Sequence, residues 1–81
     1  MKVTKKEKRF YEVFAERGHD KKTLINFILG ARKCPMYASV FHIYGISEEL
    51  KSEISKIYHW KLDFEIDGKP VRDFISDTWD L

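Results

Sequence analysis

The sequence holds one cysteine, two prolines and four glycines in 81 residues. A lone cysteine, Cys34, permits no internal disulfide, and the chain is expected in a reducing, cytoplasmic setting. The glycines are isolated at positions 18, 30, 45 and 68, so no glycine-rich phosphate loop can form. No apolar run approaches the roughly 20 residues that span a bilayer, and no membrane association is expected. The opening stretch Met1-Lys2-Val3-Thr4-Lys5-Lys6 is basic but leads into no apolar signal core. Repeats, linkers and low-complexity segments are missing. His19, His42, His59 and Cys34 share no metal-ligand spacing, so neither a metal nor a cofactor is expected. Cys34 reads as a small buried thiol at a helix end rather than a nucleophile paired with a distant histidine. With no catalytic constellation and little room for a water-excluded pocket, the chain is not expected to be an enzyme.

What is present is a chain that folds. Hydrophobic residues make up 43%, aromatic residues 15% and charged residues 35%. That balance excludes a disordered charged tail, and the length fits a single domain over residues 1–81. The formal net charge of +2 hides a strong asymmetry. Residues 1–33 carry ten bases against four acids, whereas residues 34–81 carry five bases against nine acids. A basic half of this kind steers toward an acidic partner or nucleic acid, although facing charged surfaces within one fold would produce the same pattern.

Thr4 and Glu7 have the spacing of a capping box, which starts a helix that Gly18 stops near Arg17. Phe10, Val13, Phe14 and Arg17 follow helical spacing, with Tyr11 on the flank. Asp20 caps a second helix whose apolar residues (Leu24, Ile25, Phe27, Ile28, Leu29 and Ala31) occupy much of its circumference. That places it at the centre of the core. The helix ends near Lys33, because Pro35 disfavours helical geometry at Cys34. Residues 36–44 suit either a helix, with Tyr37, Val40, Phe41 and Tyr44 in one stripe, or a buried strand; helix is favoured. Ser47 caps the next helix, with Glu48 and Glu49 at its positive end and Leu50, Ile54, Ile57 and Tyr58 as its buried stripe.

From Trp60 the period changes to two. Trp60, Leu62, Phe64 and Ile66 alternate with Lys61, Asp63, Glu65 and Asp67, which predicts a strand. Asp67-Gly68 predicts a hairpin turn, and Pro70 keeps the return arm short or at an edge. Val71, Phe74 and Ile75, with Thr78 and Trp79, suit a short terminal helix. The expected fold class is α+β: one small domain of three to four helices with a C-terminal β-hairpin. The expected core includes Phe14, Leu24, Phe27, Ile28, Phe41, Leu50, Ile54, Leu62 and Phe64. Asp63, Glu65 and Asp67 share one face of the strand and read as its wet side rather than a cation site.

Over residues 20–74 this element order resembles the winged-helix variant of the helix-turn-helix architecture. The resemblance implies a recognition helix after Gly45 and a wing carrying Lys69 and Arg72. The residues at that helix start are Ser47, Glu48 and Glu49, followed by Glu53. Carboxylates there repel phosphates, and no Arg, Asn or Gln stands there to read bases. Protein binding therefore ranks first.

The expected function is that of a small regulatory or inhibitory protein that binds another macromolecule, most readily a protein. Accessory proteins of bacteria and their phages often have this make-up, and self-association is compatible with it. The expected protein interface joins the first helix, through Lys8, Arg9 and Tyr11, to a C-terminal segment carrying Arg72, Asp77 and Trp79. The alternative is a nucleic-acid surface of Lys5, Lys6, Arg9, Lys21, Lys22, Arg32 and Lys33, with binding that weakens steeply in salt.

Overall fold

Thr4 and Glu7 close the first helix reciprocally. The Glu7 N–H donates to the Thr4 hydroxyl at 3.1 Å, and the Thr4 N–H donates to Glu7 Oε1 at 2.9 Å. A computed structural model of the chain describes residues 2–33, 42–59 and 61–76, and in it this capping box opens α1, Lys5–Glu16. The helix ends in a Schellman motif: Gly18 takes a left-handed φ of 100°, its N–H donates to the Ala15 carbonyl, and the His19 N–H donates to that of Phe14. The chain then reverses into α2, Lys21–Lys33. Thr23, Leu24, Phe27, Ile28 and Ala31 are buried along α2, as expected of a central helix. The rings of Phe10, Phe14 and Phe27 stack at the junction of α1 and α2, with neighbouring centroids 4.4 and 4.9 Å apart.

Helix α3, Glu48–Tyr58, begins at Ser47, whose hydroxyl accepts from the Leu50 N–H at 3.1 Å. Two side chains of α2 hold the approach to it. The Thr23 hydroxyl accepts from the Ser47 N–H at 2.6 Å, and Asn26 donates to the Gly45 carbonyl at 2.8 Å. Residues 42–44 form a turn, so the helix expected over 36–44 does not reach Tyr44. The rest of that expectation, with Tyr37, Val40 and Phe41, lies outside the described residues. Within the turn the burial is the reverse of the predicted stripe: Ile43 is buried and Tyr44 is 94% exposed. The physical reason is Gly30, which lacks the β-carbon that would collide with Ile43.

The period-two segment is borne out in burial and shortened in hydrogen bonding. Exposure alternates along residues 61–66, but the ladder consists only of β1, Glu65–Ile66, and β2, Lys69–Pro70. The two strands pair antiparallel, Glu65 with Pro70 and Ile66 with Lys69. Asp67 and Gly68 both have positive φ, 54° and 82°, as a type I′ turn requires. The return arm passes directly into α4, Val71–Ser76. The Val71 N–H still reaches the Phe64 carbonyl at 2.6 Å, but Pro70 gives no donor and the helix leaves the ladder there. Leu62 and Phe64, expected in the core, are therefore only half-buried at its margin, while Ile66, Val71, Phe74 and Ile75 are buried.

The described residues thus form four helices and a two-stranded antiparallel hairpin, a small α+β arrangement. Arg72 lies in α4 rather than on a hairpin arm, and Lys69 is exposed on β2. The apolar side chains of all four helices and of Ile66 join one buried cluster. Among the described residues no helix is long and apolar enough to cross a membrane.

Candidate functional site

The hairpin places its turn against the first half of α1. Arg9 Nε donates to Asp67 Oδ1 at 2.9 Å, bridging residues 58 positions apart. The guanidinium also reaches Glu12 Oε1 at 3.4 Å. The hydrogen bond to Asp67, then the attraction of its charge, raises the Arg9 pKa above its ordinary value. One turn earlier on α1, the Lys6 ammonium stands 5.5 Å from the centroid of the Phe74 ring on α4, close enough for a cation–π contact. Between these two ties lies a cleft of about 490 Å³, lined by Lys5, Lys6, Arg9, Ile66, Asp67, Lys69 and Phe74. Among the described residues, four cations and one carboxylate surround a floor of nearly buried apolar side chains.

This is where α1 meets the C-terminal elements, the junction singled out from the sequence. Its members are only partly those expected. Arg9 lines the cleft. Lys8 is exposed on α1, and Tyr11 is half-buried against the core. Arg72 is half-buried on α4. Asp77 and Trp79 lie outside the described residues, as do Cys34 and Trp60. Ile66, Asp67, Lys69 and Phe74 were not singled out as site residues. The one local signal for them was the Asp-Gly turn, which brings its flanks close to whatever the hairpin packs on.

The seven cations of the alternative surface do not form one patch. Lys5, Lys6 and Arg9 share the cleft, whereas Lys21 and Lys22 are exposed at the start of α2. Because α2 runs back along α1, that start lies by the far end of α1, roughly 10–17 Å from these residues along its axis. Arg32 is taken up by the fold: Nε and Nη2 donate to the two oxygens of Glu7 at 2.7 Å each, and Nη2 also donates to the Lys2 carbonyl at 2.8 Å. Glu7, only 3% exposed, is held below the usual carboxylate range, first by the Arg32 hydrogen bonds. Burial opposes this, and the Thr4 backbone assists it. Lys33 is exposed at the end of α2, beside a smaller cavity near Leu29 and Tyr44.

A second charged cluster ties the α1–α2 turn to α3. Arg17 Nε donates to Glu53 Oε2 at 2.9 Å, and His19 Nε2 lies 2.5 Å from Glu53 Oε1. Burial pushes the Glu53 carboxyl up, but the hydrogen bonds from Arg17 and His19 outweigh it and leave the group below its ordinary value. Arg17 also lies over the Phe64 ring at 4.3 Å. Both oxygens of Glu53 are occupied, so this cluster acts as a joint between elements. Among the described residues no group of three or more His, Cys, Asp or Glu could hold a metal ion. Compared with known proteins, the chain matches no family model, no curated protein and no solved structure.

Proposed function

We propose that this protein acts without catalysis, as a regulatory or inhibitory factor that binds another protein through the surface where α1 meets the hairpin and α4. The observation that supports this is the convergence of Lys5, Lys6, Arg9 and Lys69 around Ile66 and Phe74. Cations at the margin of a small apolar floor suit a protein interface, with charge guiding encounter and the aliphatic stems of the lysines and Arg9 supplying contact area. Nucleic-acid binding, the alternative, draws on the same lysines but has less behind it. Lys21 and Lys22 are remote from the cleft, Arg32 is committed to Glu7, and Phe74, at 8% exposure, offers little ring face for stacking a base.

The test is capture from nuclease-treated lysate of the native host, comparing the wild-type chain with a Lys5→Glu/Lys69→Glu variant. Glutamate is well placed in the first turn of a helix, so Lys5→Glu alone serves as a gentler second variant. A protein retained by the wild type and lost from variants that melt normally supports the reading. Equal retention by all three refutes it, as does retention found in untreated lysate and lost from nuclease-treated lysate.

A further inference from the structure

We infer that the cavity between α2 and the turn at residues 42–45 binds a nucleotide, with the base on the ring of Tyr44 and the phosphate at Lys33. The cavity holds about 340 Å³, toward the small end of the range of about 300–1,000 Å³ for ligand sites. Asn26, Leu29, Gly30 and Lys33 stand at i, i+3, i+4 and i+7 of α2, so they form one face of the helix. The turn crosses this face in the opposite direction. Gly45 is held at Asn26 by a 2.8 Å hydrogen bond, Ile43 sits on Gly30, and His42 therefore lies toward Lys33. The cavity shares no residue with the cleft beside α1, so its ligand does not depend on the protein-binding reading above.

Tyr44 is 94% exposed although its neighbours on both sides are fixed to α2. A bare ring on a pinned turn loses little freedom when a flat partner stacks on it, and every base presents such a face. Leu29 and Ile43 supply an apolar floor beside it, which suits a sugar. Charge sets the other end of the ligand. Lys33 is exposed and makes no ion pair or hydrogen bond among the described residues, and the same holds for His42. No carboxylate lines the cavity, and neither α2 nor residues 42–47 contain an acid. Asp20 lies at the opposite end of α2, and Glu48, after the turn, has Lys51 3.8 Å from its carboxylate. An anion beside Lys33 thus meets no like charge from the elements that form the site. A bare phosphate would leave the ring unused, and an uncharged aromatic would leave Lys33 unused.

The assay is an amide NMR titration of the full chain with AMP, adenosine, inorganic phosphate and a short single-stranded oligodeoxyadenylate. AMP should shift the amides of Leu29, Lys33 and Tyr44, with a Kd below those of adenosine and of phosphate. Tyr44→Ala should weaken AMP and adenosine alike, by about fivefold or more, the loss expected for one stacked base. Tyr44→Phe, which keeps the ring, should bind as the wild type does. Lys33→Gln should bring AMP down to the affinity of adenosine and leave adenosine unchanged. Both side chains are exposed, so the variants should melt normally. The oligonucleotide separates two sources of the same chemistry. Tighter binding per nucleotide than AMP identifies a strand, equal or weaker binding a free nucleotide, and both support the site. No shift at these residues, AMP no tighter than adenosine, or full AMP binding by Tyr44→Ala overturns the assignment.

Discussion

Replacing Gly30 by alanine sets two effects of known size against each other. Gly30 lies within α2, three residues before its end, where glycine is about 0.5–1 kcal/mol less favourable than alanine, so helix propensity alone makes Gly30→Ala stabilising. Packing opposes it. A β-carbon there would overlap Cγ2 of Ile43 and stand 2.9 Å from Cγ1 and 3.1 Å from Cβ, well inside ordinary contact distance. Ile43 has little freedom to retreat. It is buried, its side chain is stiff at the branch, and the residues after it are held to the same helix by Asn26 and Thr23. Overpacking of this kind costs about 1–3 kcal/mol, which leaves a net loss on the order of 0.5–2 kcal/mol. In a domain this small, each lost kcal/mol lowers Tm by roughly 4–8 °C, so a fall of several degrees is expected in a circular-dichroism melt. Ile43→Leu supplies the control, because it moves the branch one carbon outward and deletes the Cγ2 that would collide. Gly30→Ala should cost less in that background, with a coupling energy of about 0.5 kcal/mol or more. A Gly30→Ala protein that melts above the wild type would show that Ile43 is not seated on α2, and the account of the turn at 42–47 would be wrong.

Acid should destabilise the fold through Glu7 and Glu53. Both are held below the ordinary glutamate value, so their contribution is complete above about pH 4.5 and disappears as pH falls through their folded-state values. Tm should therefore drop on acidification below that point, with Glu7→Gln showing a shallower drop; a rise in Tm on acidification would contradict the sign. Phe27→Ala, which removes a fully buried ring stacked on Phe10, should cost about 3–5 kcal/mol and largely unfold the chain. Ile28→Val should cost only about 0.5–1.5 kcal/mol and leave a cooperative denaturant transition, and wild-type midpoints for both variants would displace α2 from the core.

Local chemistry was legible in the sequence and distant chemistry was not. The caps at Thr4 and Ser47, the stop at Gly18 and the turn at Asp67-Gly68 each depend on residues within a few positions of one another, and each appears where the spacing placed it. The hairpin shows the boundary. Alternation along 61–66 gave the correct faces, but ladder length depends on a partner strand, and the partner becomes a helix at Val71. Glu7 was legible as a capping residue, yet its pairing with Arg32 spans 25 positions and has no local signature. The cleft was hidden for the same reason. It needs Lys6 brought to Phe74 and Arg9 to Asp67, and only the packing of the whole chain does that. Arg32 counts as an available cation when residues are tallied, and the fold spends it inside the molecule.

The brevity of the hairpin also bears on how the protein avoids aggregation. Open sheet edges are the places where folded domains recruit other chains into growing β-structure. Here each arm contributes two residues, Pro70 has no N–H to offer, and the next donor, that of Val71, is already bonded to Phe64. Lys69 sets a charge on the same short edge. The segment leading into it has the apolar alternation that would make a sticky strand if it were longer, but Asp63 and Glu65 interrupt it with exposed carboxylates. A second chain approaching this edge finds almost no ladder to extend, so fibril-type growth should not start from this hairpin.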